Sequence, residues 1–113
     1  MIDENTLRTI HELLKEGKFE FDRDAEMDIL KQGYNWSKEF ILSCLNKGKI
    51  YRGDELYPDL KERHNRYYCI HKYSIFSLKL IIIGFIILNN ILIIHISPLN
   101  KGSKEGRIYY GEL

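Results

Sequence analysis

The sequence predicts an α+β domain in which N-terminal helices pack on one face of an antiparallel β-sheet. Three observations point there. Apolar residues recur every three or four positions up to Gly48, the period then falls to two, and a late isoleucine-rich stretch is split by Asn89-Asn90 into two arms of strand length. With 113 residues, 44% of them hydrophobic and 29% charged, the chain is sized for one domain over residues 1–113, helices over about 4–48 and sheet over about 50–110.

In the first predicted helix, near 4–16, Leu7, Ile10, Leu13 and Leu14 share a face, and Gly17 stands where helices are commonly closed. A second begins around Asp22 with acids in its first turn, where they meet the positive end of the helix dipole. Ala25, Ile29 and Leu30 face inward and Gly33 ends it. Ser37 is a good N-cap for the third. Trp36 before it can staple onto Ile41, and Phe40, Ile41, Cys44 and Leu45 form the apolar stripe up to Gly48. Beyond Gly48, Ile50-Tyr51 predicts a short edge strand and 52–65 a polar loop carrying Gly53 and Pro58. A strand over 66–73 follows, with Arg66, Tyr68, Ile70 and Lys72 opposed to Tyr67, Cys69, His71 and Tyr73.

Residues 78–97 have the apolar character of a membrane span, yet the uninterrupted run is only Leu80 to Leu88, and the asparagine pair would lie near the bilayer centre. Isoleucine is stiff and β-favouring, and asparagine tolerates the positive φ of a tight turn. The stretch therefore predicts a hairpin with arms near 77–88 and 91–97. Pro98 is expected to stop the pairing, 100–106 to form a basic turn, and 107–110 to return as a last short strand. In the second arm the row Leu92, Ile94 and Ile96 is wholly apolar, whereas the opposite row is Ile91, Ile93, His95 and Ser97. The first row is expected on the helices and the second on an open face, because a buried imidazole or hydroxyl would need a partner.

A net charge of +1 excludes no partner, but the halves differ: 1–60 carry nine basic and thirteen acidic residues, 61–113 eight and three. An anionic partner would meet the second half. Cys44 and Cys69 fall in predicted regular structure with neither a second Cys nor a His at metal-ligand spacing. They read as small buried hydrophobes in a reducing compartment. The acidic start Met1-Ile2-Asp3-Glu4 is a poor export signal, so a cytoplasmic protein is expected, with no membrane anchor.

Three stretches carry a family likeness over about residues 19–97: Ala25-x-x-x-Ile29-Leu30-x-x-Gly33, then Leu45-Asn46-Lys47-Gly48-Lys49-Ile50-Tyr51, and the closing Ile93-Ile94-His95-Ile96-Ser97-Pro98. They resemble a small bacterial family of unknown function that itself looks like the RelE/ParE group of toxin ribonucleases and gyrase inhibitors. The element order is also similar to that of the MqsR-like toxins. That family carries His directly before its alanine and an arginine on the same helix, whereas here Asp24 precedes Ala25, and Glu26, Met27 and Asp28 follow. The resemblance implies a RelE-like fold, RNA cleavage without metal or cofactor, and an antitoxin protein as partner.

RNA cleavage of this kind needs a base for the 2′-hydroxyl proton, cations for the charge that grows at phosphorus, and an acid for the leaving oxygen. Residues 61–73 are the richest stretch for it. The candidate catalytic residues are His64 at a loop-to-strand boundary, His71, His95 beside Ser97, and Arg66. The candidate RNA-binding residues are Arg63, Tyr68, Lys72, Lys101 and Lys104, arginine gripping phosphate in bidentate fashion and tyrosine offering a ring to a base. Each histidine also has an ordinary structural reading. A P-loop, a dinucleotide glycine fingerprint, HExxH and GxSxG are absent from the sequence, and Glu20, Asp22, Asp24, Glu26 and Asp28 read as a solvated helix start. The expected function is a toxin-like, metal-independent endoribonuclease. The alternatives are a noncatalytic protein- or nucleic-acid-binding module of the same shape and a small membrane-tethered protein.

Overall fold

The computed structural model describes residues 2–25, 37–72, 80–99, 104–109 and 111, with backbone alone over 96–99. Helix α1 (Glu4–Lys15) is opened by Asp3, whose carboxylate accepts the Thr6 N–H at 2.7 Å. It closes on Gly17 at φ 73°: the Gly17 N–H reaches the Leu14 carbonyl and the Lys18 N–H that of Leu13. This left-handed closure is one that a Cβ would strain. After strand β1 (Phe19–Phe21), Asp22 Oδ1 accepts the Ala25 N–H at 2.6 Å, and residues 23–25 form the helical turn expected there. Ile29, Leu30, Gly33 and Trp36, on which the remainder of that helix and the staple depend, lie outside the described residues.

Helix α2 (Lys38–Lys47) starts as its sequence suggests, Ser37 Oγ accepting the Phe40 N–H at 3.1 Å, and buries Ile41, Cys44 and Leu45. Gly48 ends it at φ −75°, an ordinary backbone conformation. The reason for glycine there is close approach, since a Cβ would strike Cys69 Sγ and the Cys44 carbonyl.

Strands β2 (Lys49–Arg52), β3 (Tyr67–Lys72), β4 (Leu80–Leu88) and β5 (Ile91–Leu99) complete a five-stranded sheet in the order β1-β5-β4-β3-β2. The hairpin turns at Asn89 and Asn90, both with positive φ (52° and 60°), and pairs Leu88 with Ile91. That two-residue turn suits the twist of the strands it joins. Among the described residues no helix is long and apolar enough to cross a membrane.

The isoleucines divide between two clusters. Ile81, Ile83 and Phe85 of β4 join Leu92 and Ile94 of β5 and Cys69 of β3 against Ile10, Leu13 and Leu14 of α1 and Ile41, Cys44 and Leu45 of α2. On the opposite face Leu80, Ile82, Ile70 and Tyr68 meet Tyr51, Leu56 and Tyr57. Alternation along each strand thus separates the faces as expected. Burial of this many branched side chains is the dominant favourable term for the fold.

Four expectations need correction. The sheet is mixed, not antiparallel: β1 interrupts the predicted block of helices and runs parallel to β5, Phe19 beside Leu92 and Phe21 beside Ile94. Three residues make too short a run for the period-two pattern to stand out. The span 52–65 is not a plain loop. It holds helix α3 (Gly53–Leu56) and a 3-10 turn (Lys61–Arg63), it is tied end to end by the Gly53 N–H on the Arg66 carbonyl at 2.7 Å, and it buries Leu56 and Tyr57 on the face expected to be open. Residues 104–109 form helix α4 rather than a strand. Ile108 and Tyr109, adjacent in sequence, both pack on the second cluster, which strand alternation would forbid. Pro98 does not end the pairing: it lies opposite Ile81, and Leu99 opposite Leu80. The N–H groups of Leu92 and, across the strand, the carbonyl of Ile94 serve the β1 side, and Pro98 falls in that same alternate row, so its missing N–H costs β4 no hydrogen bond.

Candidate functional site

The face of the sheet away from α1 and α2 is partly covered by 53–66 and by α4, and what remains is a groove of about 500 Å³. Its floor follows from cross-strand register. Tyr68 lies opposite Gly84, which lies opposite His95, and Ile86 lies opposite Ile93. A Cβ at Gly84 would sit 3.1 Å from the Tyr68 ring, so glycine there lets the tyrosine lie low across β4 and keeps the floor open.

At the β5 end His95 Nδ1 lies 3.3 Å from Asp22 Oδ2. Local structure brings the two together. The Asp22 N–H donates to the Ile94 carbonyl at 3.0 Å, one residue before His95, while the other carboxylate oxygen caps the turn at Ala25. The imidazole remains half-exposed and lines the groove together with Asp24. At the β3 end the Tyr57 hydroxyl donates to Glu105 Oε1 at 2.8 Å, and its ring meets Tyr68 edge-on at 5.0 Å. The Arg63 guanidinium lies over the same ring at 4.4 Å. Burial first, and then the bond to Glu105, push Tyr57 well above the ordinary tyrosine value, so its hydroxyl stays a donor. Arg66, one residue before β3, also lines the groove and makes no ion pair among the described residues.

Of the residues singled out from sequence, the groove therefore brings together Arg63, Arg66, Tyr68 and His95. It does not include His64 or His71. His64 Nε2 lies 3.1 Å from the carbonyls of both Tyr57 and Pro58. Both neighbours are acceptors, so that nitrogen carries the proton and donates, fastening the 57–64 turn. His71 is half-buried on the other face of the sheet with Cys69, and burial, then Lys47, hold its imidazole below the ordinary value. Lys72 ends β3 outside the groove, Lys104 is exposed at the start of α4, Lys101 lies outside the described residues, and so does the Ser97 side chain.

Asp22, Asp24, Tyr57 and Glu105 are the polar lining residues absent from the sequence-based site candidates. For Asp22 a signal existed: an acid directly after a strand-like Phe-Glu-Phe and three residues before Ala25 has the spacing of a cap. Nothing in the sequence ties Glu105 to Tyr57, 48 residues away. The two thiols offer no nucleophile, because burial pushes Cys44 up to about 11 and raises Cys69 further. Among the described residues no three His, Cys, Asp or Glu side chains come together as metal ligands.

What remains is a half-exposed imidazole aimed by a carboxylate on β5 and, toward β3, Arg66 together with an aromatic-guanidinium-carboxylate cluster, all lining one groove. Those groups can take up a proton, neutralise an anion and grip a planar ring. No family model, curated protein or solved structure matches this chain significantly.

Proposed function

We propose that the chain is a toxin-like endoribonuclease that cleaves RNA by attack of the 2′-hydroxyl on the neighbouring phosphorus, without a metal, in the cytoplasm and under the control of an antitoxin protein. The observation that carries the reading is the 3.3 Å approach of Asp22 Oδ2 to His95 Nδ1 on the wall of a groove also lined by Arg66. With the Nδ1 proton turned toward Asp22, Nε2 keeps its lone pair and takes the 2′-hydroxyl proton. Arg66 meets the phosphate oxygens on which charge develops. The 2′-oxygen bonds to phosphorus, the 5′-oxygen leaves with a proton from the solvent that reaches the groove, and the products are a 2′,3′-cyclic phosphate and a 5′-hydroxyl.

One observation favours the second reading, a noncatalytic module: Asp22, Asp24 and Glu105 place three carboxylates in the groove beside its two arginines. Incubating purified protein with end-labelled RNA and a chelator separates the two. Wild type is expected to leave cyclic-phosphate ends, His95→Ala to slow cleavage by about 10²- to 10⁴-fold, and Asp22→Asn to slow it while preserving stability, since asparagine caps a helical turn as well as aspartate. No cleavage by wild type, or an undiminished rate in His95→Ala, sinks the proposal.

A further inference from the structure

The β3 end of the groove has no part in the proton transfer just described, yet its side chains hold one another in place. Tyr57 holds two charged groups at once. Its hydroxyl fixes the Glu105 carboxylate at 2.8 Å, and its ring carries the Arg63 guanidinium at 4.4 Å. Tyr68 meets the same ring edge-on at 5.0 Å, and Arg63, Tyr57 and Tyr68 all line the groove, so the guanidinium offers a stacking plane there. Glu105 Oε1 accepts from Tyr57, and the carboxylate is half-buried with a lining position in the groove.

Resting on the RNA-cleaving reading of this groove, we infer that Arg63 and Glu105 form a base-reading subsite that selects guanine. Single-stranded RNA is read by stacking on aromatic rings or guanidinium planes and by hydrogen bonds to the Watson–Crick edge. A carboxylate is acceptor-only, and a bidentate match to it requires two neighbouring donors. Guanine is the one common base whose Watson–Crick edge has them, N1–H beside N2–H₂. Adenine and cytosine each set a ring acceptor next to the amino group, and uracil flanks its N–H with two carbonyls. Adenine in this place would press its N1 lone pair against Glu105, and uracil a carbonyl, so the subsite rejects as well as selects. Tyr57 is the positioning residue for both groups. Tyr68, which meets the Tyr57 ring, lies across Gly84 from His95, so the backbones of β3 and β5 are two strand spacings, about 10 Å, apart at this point and both ends of the groove open onto the same stretch of floor.

The test measures binding of the four nucleoside 3′-monophosphates to the full chain by calorimetry, with wild type, Glu105→Gln and Tyr57→Phe. Wild type is expected to bind the guanosine nucleotide roughly tenfold or more tightly than the adenosine one, as a good bidentate contact provides. Glu105→Gln should erase that ratio, because an amide presents one donor and one acceptor, and Tyr57→Phe, which frees the carboxylate without emptying the ring position, should narrow it. Equal binding of all four by wild type, or a ratio untouched in Glu105→Gln, overturns the subsite and leaves the phosphate-binding reading standing. If none of the four binds, both fall. If Glu105→Gln raises affinity for every nucleotide alike, Glu105 merely opposes phosphate and the inference is again overturned.

Discussion

On β3, His71 sits half-buried behind α2, where desolvation and then the Lys47 ammonium disfavour its charged form. In the unfolded chain this imidazole takes a proton near the ordinary value of 6.5, whereas in the folded chain it does so only at lower pH. As pH falls through 6.5 the unfolded state binds the proton first, so stability is expected to fall until the folded-state value is passed. Above that range the group contributes no pH dependence. Urea midpoints at pH 7.5 and pH 5 should therefore drop less in His71→Gln than in wild type, and an identical drop would remove this histidine as the cause. His95, of the same residue type and on the same sheet, faces the other way. Period-two alternation placed it correctly on the less covered face, along with Ile93. What alternation could not reveal is the partner. The sequence reads Asp22 as one acid of a solvated helix start, whereas in the fold it stands just before the helical turn, where one carboxylate oxygen caps the turn and the other reaches His95.

Among the elements, the β4–β5 hairpin was legible because a single local feature decides it: two adjacent asparagines, both now seen at positive φ, between runs of β-branched residues. Replacing Asn90 with valine imposes a Cβ-branched side chain on a left-handed backbone and is expected to cost about 1–2 kcal/mol. Chemical denaturation checks this, and a variant as stable as wild type would mean that the turn can be rebuilt at little cost. Helices α1 and α2 were legible for a related reason, since each carries its own stop and start: Gly17 closes one and Ser37 opens the other. Helix α3, the 3-10 turn and α4 were not. Elements of three to six residues contain too little of a helical period to register, and what holds them is tertiary: Leu56 and Tyr57 against Tyr68, and Ile108 and Tyr109 beside them. Their sequences read as loop or strand because the packing that overrules local preference comes from residues far along the chain.

At the scale of the whole molecule, the two halves of opposite charge balance meet in one groove. The acidic half sends Asp22 and Asp24 into the same groove that the basic half lines with Arg63 and Arg66. RNA held there meets two arginines rather than a long cationic track, and with Arg63 stacked on a base only Arg66 neutralises a phosphate, so affinity should weaken only gently with salt, with a log–log slope of roughly −0.7 for a single strand. Fluorescence anisotropy across a salt series measures that slope, and a value of −4 or steeper would show that RNA lies over a broader basic surface instead. The parallel edge has its own bearing on how such a molecule could fail. Its three residues are stitched to β5 by bonds on either flank, the last of them from the Asp22 amide to the carbonyl just ahead of His95. Short, outermost ladders are where folded proteins peel first. Were that seam to open, the imidazole would lose its aim while nearly all the core stayed shut, and the fidelity of the groove would be governed by its weakest margin rather than by the stability of the whole.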